Sequence, residues 1–136
     1  MHANASFDYA TLRVVPRVER EEFVNAGVIL FCLERRYLKC RIALDEERVL
    51  ALAPSLDVAT IRQHLRAVEL LCNGDAKGGP MAKLSQRERF HWLTAPRSTV
   101  LQTSPVRTGV CSKENGDCHD LDSRLGEIAA MMLGTK

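Results

Sequence analysis

Along residues 9–16, YATLRVVP, positions alternate: Leu12 and Val14 fall on one face, and Thr11, Arg13 and Val15 on the other. Period-two alternation predicts a strand, and Pro16 ends it by removing a ladder donor. A charged connection, VEREE (18–22), leads to FVNAGVILFCL (23–33), rich in β-branched and aromatic residues and apolar on both faces from Ala26 onward. Such a run predicts a central strand covered on both sides, or the most buried strand of a sheet. Gly27 within it predicts a bulge or a close backbone approach. After the short link ERR (34–36), YLKCRIAL (37–44) alternates again. Leu38, Cys40, Ile42 and Leu44 turn to the core, and Lys39 and Arg41 to water. Two strands so closely linked predict an antiparallel hairpin.

The period then changes. DEERVLALAP (45–54) predicts a short helix with acids in its first turn and Pro54 at its end. In LDVATIRQHLRAVELLCNG (56–74), Val58, Ile61, Leu65, Val68 and Leu71/Cys72 form one stripe, with Asp57 as N-cap and Asn73-Gly74 as the stop. DAKGGP (75–80) predicts a loop, and KLSQRERFHWL (83–93) further helical turns capped by Ser85. STVLQTS (98–104), between Pro96 and Pro105, predicts a strand, CSKENGDCHD (111–120) a loop, and Leu121, Leu125, Ile128 and Met132 a last amphipathic helix before Gly134. Strands first, then helices, a later strand and a terminal helix predict an α+β fold. Its sheet should be mainly antiparallel and packed with helices, in a single domain over residues 1–136.

Composition narrows the setting. With 136 residues, 46% of them hydrophobic, the chain is long enough to bury a core unaided. A formal charge of +2 is too mild for a dedicated nucleic-acid binder, and the longest apolar run, residues 26–33, is too short to span a bilayer. The N-terminal MHANASFDYATLR lacks the basic and apolar regions of a secretion signal. Five scattered cysteines without a C-x-x-C favour reduced thiols, and the expected location is the cytoplasm. Cys32, Cys40 and Cys72 fit as small buried apolar residues. Cys111, Cys118 and His119 lack a companion pair of ligands, so no metal site and no cofactor are expected.

Candidate chemistry concentrates in RFHWLTAPRSTVLQTSPVRTG (89–109), where nothing acidic appears between Arg89 and Lys113. Arg97 and Ser98 before the predicted strand, and Arg107 and Thr108 beyond it, offer forked, charge-assisted donors suited to a phosphate or carboxylate. The competing account pairs these arginines with Glu19, Glu21, Glu22 or Glu88 on the surface. Glu22 and His91 are the acid/base candidates if the protein is an enzyme, with Asn25 as an amide donor. No nucleophile–base arrangement and no phosphate loop accompany them. Trp92, the sole tryptophan, reads as a core anchor.

Two segments together carry a family resemblance. In YATLRVVPRVEREEFVNAGVIL, Arg20, Glu22, Phe23, Asn25 and Gly27 stand at an R-x-E-F-x-N-x-G pattern, and RFHWLTAPRSTVLQTSPVRTG is similar to a later signature. The chain thus resembles the bacterial domain-of-unknown-function family numbered 3037, over most of its length. That resemblance implies no activity. It does imply a partner, a HipA-like kinase, beside whose genes such proteins are encoded. The expectation is a small bacterial protein that acts by binding, as an accessory or regulatory partner of another protein. The alternative is an enzyme or sensor for a phosphate-bearing small molecule or nucleic acid.

Overall fold

The computed structural model describes residues 4–112 and 120–134. Strand β1 (Asn4–Val14) runs antiparallel to β2 (Val24–Cys32), and β2 to β3 (Tyr37–Ile42). The hairpin at 23–44 is as the alternation predicts: Leu38 is buried, Cys40, Ile42 and Leu44 are half-buried against the core, and Lys39 and Arg41 are exposed. Helix α1 (Glu46–Leu52) is capped by Asp45, whose side chain accepts from the Arg48 N–H, and α2 (Val58–Asn73) by Asp57, which accepts from that of Thr60. Gly74 closes α2 in the left-handed region, at φ 67°. Helix α3 (Gln86–Leu93) starts with a capping box in which Ser85 and Glu88 satisfy each other's backbone. Strands β4 (Leu101–Thr103) and β5 (Arg107–Ser112) and helix α4 (Leu121–Leu133) complete the order.

The sheet reads β3-β2-β1-β4, with β5 also paired to β1, so β4 and β5 divide the outer edge of the longest strand. Residues 104–106 interrupt that edge, because Pro105 has no N–H to give. Buried Ser104 repairs the gap: its backbone N–H donates to the Thr11 carbonyl at 2.9 Å, and its Oγ accepts from the Thr11 N–H at 2.9 Å. On the other side of β1, Leu12 pairs with Gly27 and Arg13 with Asn25, which leaves Ala26 as the extra residue of a bulge. A Cβ at Gly27 would lie 2.9 Å from Leu12 Cδ1 and 3.0 Å from the Arg41 carbonyl oxygen. Gly27 therefore marks both a bulge and a close approach.

The bulge reverses which face each β2 residue presents. Val24 and Ala26, then Ile29 and Phe31, pack with Val49 of α1, the α2 stripe, and Phe90 and Leu93 of α3. Val28, Leu30 and Cys32 pack on the opposite face with Leu121, Leu125, Ile128 and Ala129 of α4. Both faces of the hairpin's central strand are thus covered, which explains its unbroken apolar run. The architecture is α+β, an antiparallel sheet between helices. Among the described residues no helix is long and apolar enough to cross a membrane.

β3 stops at Ile42, two residues short of the predicted strand at 37–44, and the sheet departs further from the prediction at three places. β1 starts at Asn4 rather than Tyr9: buried Ala5 and Phe7 alternate with the polar Ser6 and Asp8, a period-two pattern that lies ahead of the strand predicted at 9–16. β5 lies where the sequence signals no strand, since Arg107, Thr108 and Gly109 have weak apolar character. Of the strand predicted at 98–104, only Leu101–Thr103 pairs in the sheet, so Ser98 and Thr99 belong to the preceding loop.

Candidate anion-binding site

Helix α3 ends at Leu93, and Pro96 turns the chain so that the Arg97 side chain folds back over the helix end. Its Nη1 donates to the Leu93 carbonyl at 3.3 Å and its Nη2 to the Trp92 carbonyl at 2.5 Å. The last carbonyls of a helix lack intrahelical partners and carry the negative end of its dipole, which favours a cation there. The same guanidinium lies 4.3 Å from the centroid of the Trp92 ring, a cation–π contact. Trp92 is 45% exposed: it is a platform for Arg97 and not the core anchor its type predicts. A guanidinium has five N–H donors, so most of Arg97's capacity stays uncommitted.

Arg13 reaches the same region from β1. Its guanidinium lies 4.1 Å from the centroid of the half-exposed Phe23 ring, so both arginines rest on an aromatic face. Its Nε is buried and has no hydrogen-bond partner among the described residues. A buried donor left unmade costs about 1–3 kcal/mol, which a bound acceptor would recover. Arg13, Arg97, Ser98 and Gln102 line one pocket of about 320 Å³ with Val15, Val18, Glu21 and Phe23. Two guanidinium forks, a hydroxyl and an amide against one carboxylate make an environment suited to an anion with several acceptor oxygens.

Arg97 is also the wall of a second, larger space. A groove of about 490 Å³ runs between α2 and the segment from Trp92 to Leu101, lined by Leu56, Ile61, Val68, Leu71, Leu93, Val100 and Leu101, with Asp57, Thr60 and His64 at polar positions. Its size is that of a ligand site, and its apolar lining with few polar groups has the same character.

The other residues singled out by sequence lie elsewhere. Glu22 is exposed and paired with Arg20 at 2.9 Å, beside Ala51, Leu52 and Pro54 around the end of α1. The hydrogen bond and charge of Arg20 lower its pKa, the direction opposite to that of a general acid working near neutrality. Asn25 is engaged with α4: its Nδ2 donates to the Met132 carbonyl at 3.1 Å. His91 is exposed on α3 and lines neither the pocket nor the groove. Thr108 donates from its hydroxyl to Asp8 Oδ1 at 3.0 Å, and exposed Arg107 pairs with Tyr9 on β1. Four residues of strand separate Tyr9 from Arg13, roughly 13 Å. The structure thus joins Arg97 and Ser98 and adds Arg13 and Gln102. Asn25 stands across the ladder from Arg13 but is bonded to α4 and does not line the pocket, and Arg107, Thr108, Glu22 and His91 do not line it either.

Arg89, the first arginine of the acid-free stretch, is structural. Buried, it donates from Nη1 to the Leu71 and Cys72 carbonyls at 2.6 and 3.0 Å, and from Nε to the Leu84 carbonyl at 3.0 Å. Arg89 and Arg97 therefore bind carbonyls at helix ends, and among the described residues neither is paired with an acid. Cys32 and Cys72 are buried free thiols and Cys40 a half-buried one, and Cys111 is buried; Cys118 and His119 lie outside the described residues. A thiol–thiol hydrogen bond to Cys40, with burial, pushes the Cys72 pKa up and keeps it protonated. Among the described residues no three His, Cys, Asp or Glu gather as a metal site would require.

Arg13 carried a signal that its sequence reading did not use. It stands between Thr11 and Val15, both buried, on a strand whose alternate residues are also buried. A charged residue flanked by inward positions on its own face either finds a partner or waits for one.

Residues 9–125 match the model of DUF3037, a family described as proteins of unknown function, and the chain belongs to that family. No curated protein and no solved structure matches it.

Proposed function

We propose that this member of the DUF3037 family acts by binding, as an accessory partner of another protein, and that the Arg13–Arg97 pocket receives an acidic group of that partner. One observation carries the reading: two guanidinium side chains, Arg13 and Arg97, line one pocket, and the buried Arg13 Nε has no partner among the described residues. Arg97 is already held by the end of α3 and by Trp92, so the pocket is preorganised and little freedom is lost on binding. The catalytic alternative draws no support from its candidates, because Glu22 and His91 share neither cavity with the arginines. The family resemblance makes a HipA-like kinase the first partner to test. The scattered cysteines suit a reducing compartment, the bacterial cytoplasm.

The test compares wild type with Arg13→Gln for binding of acetyl-Gly-Ser-Glu-Glu-Ser-Gly amide and for thermal unfolding. Arg13→Gln is expected to weaken binding about tenfold, the loss of one charge-assisted contact, without lowering the melting temperature. A lower melting temperature with unchanged affinity would contradict the proposal, since Arg13 would then be serving the fold.

A further inference from the structure

We infer that the groove between α2 and the Trp92–Leu101 segment takes the apolar residues of a partner segment whose adjoining acidic residues enter the Arg13–Arg97 pocket. The inference rests on the anion-pocket reading above and extends it to the partner's sequence: apolar side chains followed at once by carboxylates. Arg97 is its hinge, because that one side chain lines both spaces. A ligand that fills both must therefore change from apolar to anionic within the reach of one residue. The groove, at about 490 Å³, has room for several apolar side chains in contact with Ile61, Val68 and Leu101. The pocket beyond Arg97 carries the charge that complements an acidic end: two guanidiniums, one with a buried donor unpartnered among the described residues. An apolar segment without acids would leave the two guanidiniums without an anion, and an acidic one without apolar residues would leave the groove in water. The half-exposed indole of Trp92 also lines the groove.

Trp92 makes the test direct, since the chain has a single tryptophan. Its emission is followed while the whole protein is titrated with acetyl-Gly-Ser-Leu-Ile-Leu-Glu-Glu-Gly amide. Two control peptides replace either both Glu by Gln or the three apolar residues by Ser. The expected result is saturable binding of the parent peptide, weakened about tenfold or more by either replacement, and loss of the Glu-to-Gln difference in Arg13→Gln. Equal binding of the Ser-containing and parent peptides would overturn the groove inference and leave the anion pocket standing. Equal binding of the Gln-containing and parent peptides would overturn both. No saturable binding by any peptide overturns both, and emission that changes on dilution of the protein alone would mean that a second copy covers the groove, which overturns this inference.

Discussion

Single residues in this protein are fixed by what stands across the sheet from them. Gly109 of β5 faces Phe7 of β1, and a Cβ there would overlap the Phe7 ring, itself 1% exposed. Gly109→Ala is expected to lower stability by about 1–3 kcal/mol, the range for overpacking a filled core. Chemical denaturation checks this, and an unchanged midpoint would show that Phe7 can yield. Gly27 was legible in the sequence because it interrupts an apolar run, whereas Gly109 sits among polar residues that look like a loop. The same contrast separates the arginines. Arg97 drew attention through its acid-free surroundings; Arg13 lay within an alternating strand, where the outward face is ordinarily polar.

At the scale of elements, local signals that need no distant partner were the readable ones. Asp57, Ser85 and Gly74 cap their helices through bonds within a few residues, and the alternation in 37–44 encodes its own inward face. β4 and β5 depend on β1, far earlier in the sequence, as in the pairs Leu12 with Thr103 and Asn4 with Ser112, so their limits follow from pairing and from Pro105 rather than from their own residues. Helix α4 is tied to the sheet by long-range contacts of the same kind. The Tyr37 hydroxyl donates to Asp122 Oδ1 at 2.7 Å, linking β3 to α4. Burial first, then this bond and the Asp122 charge, push the Tyr37 pKa well above its ordinary value of 10.0. The folded state thus keeps a proton that the unfolded chain gives up near that pH. Tyr37's contribution is fully present below pH 10 and lost as pH rises further. Tyr37→Phe is expected to cost about 1 kcal/mol at neutral pH and to show a shallower loss of stability above pH 10 than wild type. Parallel slopes in the two proteins would contradict the assignment.

For the whole molecule, the sheet separates two kinds of space. Helices α1, α2 and α3 seal most of one face and α4 the other. Beside α3 and β4 lie two cavities that meet at Arg97. The acid-free stretch at 89–109 therefore spreads over several roles: Arg89 holds α2 to α3, Ser104 repairs the sheet edge, and Arg97 and Ser98 face the pocket. The sequence could point to this region but not divide it, because the division depends on which carbonyls and strands each side chain meets. The central claim is that Arg13 is held ready for an acidic group. The most direct measurement follows the arginine Nε–H resonances by heteronuclear NMR as the Leu-Ile-Leu-Glu-Glu peptide is added. The account predicts that the Arg13 Nε–H shifts as it gains an acceptor, while that of Arg89, already bonded to the Leu84 carbonyl, does not move. An Arg13 resonance that stays in place at saturating peptide would contradict it.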